Sequence, residues 1–496
     1  DSLDRYNKAY AVWLQVFGEE SEEVSKVIYG KAELARAHGN FDEARAEHER
    51  SFDIRKRLLG LDNVLTIQGA VAISRVCCDL GDYASAHAKA ADASMRLNAI
   101  TGKAKLENAA TIVEGNIAMG TCLLAQGAHT LARRSFQDAM ELAKMEFGQN
   151  HPLVAECLCG TADCSTAQGM LHDAKHLISK GFKMRIHFFG VSRDDPNEGK
   201  DEHGNSIAAW EKPEPGLIFE GAEVPPHPLL ADTLCAKAVN LMTLDEFGEA
   251  TESLLNSAYK MRSRISGTHN PHITRIMQLK GKMLHLRGKY YPALDMLTTV
   301  RRNQLAILGP RHPEFGDTLF EMAVIQSQLS HLLDAEQLLD DCMSLRNELH
   351  RDKHHERRAK DEESKARGKK PQELSRKEKE AMEAAAQSPL AQKTILLHNH
   401  TPYHTKLLEC RLLQAYILKY KGAFVDCKAL CEETVVSYKE TIGAAHPTTA
   451  NASMLLGVVL RELGALEMSY AMIEKALAAR SSSLHENHHL VGECLN

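Results

Sequence analysis

Small residues recur along this chain at fixed distances from a periodic glycine. Glycines stand at Gly39, Gly81, Gly127, Gly169, Gly288, Gly422 and Gly464, Asp245 and Ser330 take the same place, and most intervals are 42 or 43 residues. Seven residues earlier come Ala32, Ser74, Gly120, Ala162, Ala238, Gly281, Ala323, Ala415 and Gly457; five residues later come Ala44, Ala86, Ala132, Ala174, Ala250, Ala293, Ala335, Cys427 and Ser469. Four further on stand Phe136, Ile178, Leu254, Leu297, Leu339 and Ile473, an i, i+4 spacing that keeps them on the buried face of a helix. The pattern predicts helical hairpins: small side chains let two antiparallel helices approach, and the glycine ends the first helix in a left-handed conformation. A second glycine set, Gly60, Gly102, Gly148, Gly190, Gly309 and Gly443, follows 21 residues after the first. It ends the second helix, and His-Pro often comes next, as at His151-Pro152, His312-Pro313 and His446-Pro447. Glycine closing one helix and proline opening the next is the expected asymmetry, so these histidines read as junction residues.

The offsets of the small residues and glycine resemble the tetratricopeptide repeat. The 42-residue length with Gly-x-x-His-Pro junctions is similar to the kinesin light chain and nephrocystin-3 type. That resemblance implies an all-α solenoid of stacked hairpins wound as a right-handed superhelix, each hairpin burying its apolar face only against its neighbours. Residues 1–20 fit the second helix of a preceding repeat, with Ser2 and Ala9 at its small positions, and 488–496 fit the opening of a first helix. The expected order is repeats 1–4 over 21–190, an insertion over 191–228, repeats 5–7 over 229–350, a second insertion over 351–400 and repeats 8–9 over 401–487, the whole a segment of a longer chain.

Composition narrows the class. With 44% hydrophobic, 25% charged and 5% aromatic residues, no long apolar run and a net charge of −6, neither a membrane span nor nucleic-acid binding is expected. The twelve cysteines fall largely at helical positions as small buried residues, without paired Cys-x-x-Cys spacing, which points away from structural zinc and toward a reducing compartment.

The insertions break the rhythm at one kind of junction. Residues 191–226 hold nine acidic and three basic residues and several prolines, which predicts an irregular surface loop, yet they also carry Trp210 and the run Leu217-Ile218-Phe219. These four read as anchors that pin the loop to its own scaffold or to a partner. The stretch from Arg351 to Ser388 holds twelve basic and nine acidic residues, broken by Gly368 and Pro371 into two potential solvated helices. Its densest basic cluster, Lys365, Arg367, Lys369 and Lys370, is either plain solvated charge or an arm for an acidic protein surface.

Catalytic motifs are absent from the pattern: there is no Gly-rich phosphate loop, His-Glu-x-x-His helix or Gly-x-Ser-x-Gly elbow. His354 with His355, then His398, His400 and His404, then His485, His488 and His489 form clusters, but the last two sit at junctions where histidine is normal. No catalytic residue, metal or cofactor is therefore assigned. By resemblance the first helices line the concave face, which places Tyr29, Glu33, Arg36, Arg75, Asp163, Lys282, His285, Tyr416, Lys419 and Arg461 in a protein-binding groove. Tyr29, Val71, Ile117, Cys159 and Cys235 occupy positions where a carboxylate clamp needs Lys and Asn, and Tyr29-Gly30 and Val71-Ala72 replace the paired asparagines of kinesin light chains. Both familiar uses of the groove are put in doubt by these departures. The expectation is a non-enzymatic scaffold for other proteins within a large complex, in a ciliary, axonemal or other microtubule-associated assembly of the cytoplasm or cytoskeleton. Alternatives are a peptide-binding cargo adaptor and the sensor arm of a larger NTPase or enzyme.

Overall fold

The computed structural model describes residues 2–100, 103–189, 217–219, 222–224, 226–267, 269–366, 402–484 and 488–495. The chain divides into two compact units, one of residues 1–124 with 129–310, the other of 311–496 with 125–128.

In the first unit α1 (Ser2–Phe17) precedes a series of antiparallel pairs: α2 (Glu22–Ala37) with α3 (Phe41–Leu59), then α4 (Val64–Asp79) with α5 (Tyr83–Asn98). After the short α6 (Lys103–Glu107) come α7 (Ala109–Ala125) with α8 (His129–Phe147) and α9 (Pro152–Ala167) with α10 (Leu171–Phe189). Beyond the strands β1 (Leu217–Phe219) and β2 (Ala222–Val224) follow α11 (Pro228–Thr243) with α12 (Glu249–Ser266) and α13 (Pro271–Leu286) with α14 (Tyr290–Ile307). The second unit pairs α15 (Pro313–Gln328) with α16 (Leu332–Ala366), α17 (Pro402–Tyr420) with α18 (Phe424–Thr441), and α19 (Pro447–Glu462) with α20 (Leu466–Ser483), and ends in α21 (His489–Leu495). The result is an all-α solenoid of helical hairpins.

The periodic positions act as their chemistry requires. All seven glycines of the first set have φ between 72° and 82°, and the two replacements, Asp245 and Ser330, adopt φ of 67° and 62° at the same place. Ala32, Ala44, Ala86, Ala132 and Ala162 are sealed from solvent, and Phe136, Ile178, Leu297 and Leu339 are buried between the helices. The junction histidines share one role. His151, His227, His312, His446 and His488 each accept, through Nδ1, the backbone N–H two residues on, at 3.1–3.3 Å. Each is an N-cap, standing where Asn63 and Asn270 do the same with Oδ1. An Nδ1 that accepts a helical N–H is not free to ligate a metal.

A second periodic row consists of large side chains. Sixteen residues after the glycine position stand Arg55, Arg185, Arg346 and Arg480, with Arg262 one residue later in its repeat. All five are at most 4% exposed. Four of them reach forward to a carbonyl in the first helix of the following repeat: Arg55 to Leu65 O at 2.8 Å, Arg185 to Leu229 O at 2.8 Å, Arg346 to Lys406 O at 2.6 Å, and Arg480 to Leu490 O. Four also reach back to the first helix of their own hairpin: Arg262 to both oxygens of Asp232, Arg346 to Asp317, Arg480 to Asn451 and Arg55 to Ser25. Where both bonds form, one guanidinium ties three helices together, using the planar fork that arginine alone provides.

The structure sharpens the reading of the two insertions. Within the first insertion, predicted as irregular, 217–219 pair antiparallel with 222–224, so Leu217, Ile218 and Phe219 form a strand opposite Val224, Glu223 and Ala222. The helix predicted ahead of Gly368 is continuous with the second helix of its repeat, because α16 runs unbroken to Ala366 and carries Lys365 on its last turn. Trp210, Arg367, Lys369 and Lys370 lie outside the described residues, as do His398, His400 and His485.

Candidate functional site

The first unit contains a concave cleft walled by first helices. Residues three and four apart share a helix face, so Glu33 and Arg36 on α2 look the same way, as do Arg75, Cys78 and Asp79 on α4. These five, with Ile117 and Thr121 of α7 and His272 from the start of α13, bound a cavity of about 380 Å³. A cavity of about 510 Å³ shares Ile117, Thr121, Glu156, Leu229, Asp232 and His272 with it and extends to Asp163 and Arg275. Both volumes lie in the range of ligand-holding pockets.

The cleft closes because the first whole hairpin meets the sixth. At the end of α2 the carbonyl of His38 accepts from Asn270 Nδ2 at 2.7 Å, and that of Ala37 accepts from Ser266 Oγ at 3.2 Å. Asn270 is fully buried and caps α13 with its Oδ1, so one side chain accepts at its own junction while it donates across the cleft. Gly39 lies against the ring of Pro271, where any side chain would collide. Phe41 meets His272 edge to face at 6.0 Å between ring centres.

Charge in the cleft is mixed and only partly paired. Arg36 binds Asp79 at 2.6 Å, and Arg262 holds Asp232 with two bonds of 2.6 and 2.7 Å. Burial alone would raise the Glu33 carboxyl, but the neighbouring His48 and the charges of Arg75 and Arg36 bring it down to about 2. Its contact with His48, 3.4 Å between Oε1 and Nε2, lies off the hydrogen-bond axis and leaves both atoms unsatisfied, so the arginine charges carry the effect. Asp163 goes the other way. Solvent touches this carboxyl, yet protein surrounds it, and burial pushes it up to about 6 against the fields of Arg275 and Arg185. Burial also raises Glu114, helped by the like charges of Glu156 and Glu33.

Of the ten groove positions expected from the sequence, Glu33, Arg36, Arg75 and Asp163 line these cavities. Tyr29 sits behind them, its ring 5.0 Å from that of His48 and 4.8 Å from the Arg55 guanidinium, and burial followed by the Glu33 charge raises its hydroxyl. Lys282 and His285 line neither cavity; the ring of His285 lies 6.1 Å from that of Tyr290. In the second unit, burial pushes Tyr416 up to about 12, Lys419 lies 5.6 Å over the ring of Tyr420, and Arg461 is an exposed partner of Glu462 at 3.6 Å. Sequence reasoning missed Glu114, Glu156, Asp232 and Arg275. Their signal was present: all four stand thirteen residues before the beat position, two helical turns ahead of the offset that holds Glu33 and Asp163.

No helix among the described residues is long and apolar enough to cross a membrane. No curated protein sequence matches the chain. Among solved structures it is similar to NprR in complex with its cognate peptide NprX, at 13% identity over 92% of this chain and 97% of that one with a TM-score of 0.51. It is also similar to a Rap protein complexed with Competence and Sporulation Factor, at 12% identity over 93% and 99% with a TM-score of 0.50. A putative kinesin light chain from P. anserina covers 52% of this chain and 98% of its own, at 14% identity and a TM-score of 0.31. A tetratricopeptide repeat model matches residues 23–94 and 112–185. Those two stretches are tetratricopeptide repeats, and they build most of the wall that carries Glu33, Arg75, Glu114 and Asp163.

Proposed function

We propose that the chain is a non-enzymatic protein-binding scaffold whose first unit holds a short segment of a partner in its concave cleft. The observation that carries this reading is the cleft itself: contiguous cavities of about 380 and 510 Å³, lined by consecutive first helices. Cavities of that size suit a few residues of chain, not a folded surface. Two structures of similar fold are described in complex with a peptide or a factor, which favours the same use here. Arg75 and Asp163 would supply opposite charges along the bound segment, and Ile117 and Leu124 apolar contact.

The finer assignment, a subunit of a ciliary or axonemal assembly with 42-residue repeats of the nephrocystin-3 type, rests on repeat resemblance alone. Its candidate contacts are the arm at Lys365, Arg367, Lys369 and Lys370 and the anchors Trp210, Leu217, Ile218 and Phe219. A photoreactive residue in place of Thr121, on the cleft floor, tests the main reading. Irradiated in extract, it should capture a partner through a short segment, and Arg75→Glu should weaken that capture at least several-fold. Capture only from a photoreactive residue on an exposed outer position such as Met95 would reject the cleft.

A further inference from the structure

Three pairs of cysteines bring their sulfurs close together: Cys78 with Cys122 at 3.1 Å, Cys342 with Cys410 at 3.7 Å, and Cys427 with Cys431 at 4.0 Å. Access separates them. Both members of the second and third pairs are sealed from solvent. In the first, Cys78 is half-buried and lines the cleft, while Cys122 is fully buried directly behind it. Cys78 belongs to α4 and Cys122 to α7, so the pair spans two neighbouring repeats, whereas Cys427 and Cys431 lie one turn apart on α18.

The surroundings orient the buried thiol. Ser74 Oγ lies 3.3 Å from Cys122 Sγ and donates its only proton to the carbonyl of Ala86 at 2.8 Å. Cys122 S–H therefore donates to the Ser74 oxygen, and its sulfur lone pairs are left on the side of Cys78. An accessible thiol backed by a buried thiol at near-contact distance is the arrangement thiol–disulfide exchange requires: one sulfur to take the first attack, a second to resolve it.

We propose that Cys78 and Cys122 form a modification site that reacts with low-molecular-weight disulfides entering the cleft. The contact with Cys122 and burial hold the Cys78 proton more tightly than on a free thiol, so the fraction of Cys78 that releases its proton to solvent attacks one sulfur of R–S–S–R. The external S–S bond breaks, one R–S⁻ leaves and takes up a proton, and a mixed disulfide remains on Cys78. Cys122 then attacks the Cys78 sulfur and expels the second R–S⁻, which receives the proton Cys122 gives up. Two protein thiols are oxidised and one external disulfide is reduced to two thiols. The sulfurs close from 3.1 Å to the bonded length of about 2.05 Å, a movement within the reach of side-chain rotation. The product ties α4 to α7 in the cleft wall.

The test treats the folded full chain with oxidised glutathione, alkylates remaining thiols in denaturant and maps peptides without reduction. The expected product joins the Cys78 and Cys122 peptides, lighter by two hydrogens and released by reductant, while Cys342, Cys410, Cys427 and Cys431 are alkylated. Cys122→Ser should instead retain glutathione on Cys78, and Cys78→Ser should retain none at either position; circular dichroism checks that both variants fold. The proposal is overturned if Cys78 and Cys122 are recovered alkylated, if glutathione persists on Cys78 in the unsubstituted chain, or if the sealed pairs oxidise equally.

Discussion

The junction after α16 and the junction after α5 solve one problem in opposite ways. Arg346 fills the first, binding the Lys406 carbonyl and Asp317 and lying 5.1 Å over the Phe320 ring. Leu97 occupies the same repeat position in the second, buried with Ile73, Val113 and Ile117 in the largest apolar cluster among the described residues. Ala143 repeats the apolar solution one hairpin later. The shape of a repeat therefore does not dictate the chemistry at its seam. Apolar filling gains from burial, about 25 cal/mol per Å², and tolerates a neighbour of similar volume. A buried guanidinium contributes little unless every bond is made, but it fixes the register of three helices and fails heavily if one partner goes.

Exchanging the two solutions should give the largest effect. Leu97→Arg places a charge in an apolar seam and is expected to cost about 4 kcal/mol, read as a lower urea midpoint of the full chain. A loss within the noise would mean that the seams are interchangeable. Arg346→Ala comes next, at about 3 kcal/mol, because it strands the Lys406 carbonyl and leaves Asp317 with Lys406 as its remaining cation. Replacing Arg346 by Met and Asp317 by Leu together should recover most of that loss, and no recovery would show that the clamp is more than a filled volume.

The pH profiles should separate clamp from cleft. Burial would raise Asp317, but the charges of Lys406 and Arg346 hold it below the usual carboxylate range. Its contribution is present above the unfolded carboxylate pKa and is lost as pH falls, and Asp317→Asn should remove that acid sensitivity. Asp163 has the opposite sign. With its carboxyl up at about 6, the native state binds the proton more tightly than the unfolded chain, so stability declines as pH rises from the ordinary carboxylate range toward 6. Asp163→Asn should flatten this decline and leave the protein no less stable at neutral pH. A profile unchanged by either variant would remove the electrostatic half of the comparison.

Smaller changes sharpen it. Ser25→Ala removes the 3.2 Å bond from Arg55 Nε and the acceptor at that seam, an expected loss of about 1 kcal/mol by thermal unfolding. Ser330→Gly should stabilise the chain by a few tenths to about 1 kcal/mol, since it relieves a positive φ without touching any clamp. Destabilisation there would point to a role for the serine side chain at the turn.

Much of the fold was legible because its rules are local. Glycine in the left-handed region, alanine at helix crossings and proline after a cap each follow from a few neighbouring residues, and all recur on one period. The arginine row and the polar row thirteen residues before the beat were equally periodic, but they vary between Arg, Leu, Ala, Gln and Tyr, or between Glu, Asp, Arg, Asn, Gln and Lys, so no constant residue type marks them. The closed cleft was illegible for a different reason. A period states what adjacent hairpins do, whereas the bond from Asn270 to His38 joins residues 232 apart and depends on the accumulated turn of five hairpins.

That bond has a consequence for ancestry. An open array can gain or lose a hairpin by duplication or deletion at almost any seam, and its ends simply move. Between Gly39 and Pro271 this freedom ends: one hairpin more or fewer would carry Asn270 away from the carbonyl it binds. The stretch from the first whole hairpin to the sixth is inherited as a counted set, and changes of length are expected only outside it or within its loops.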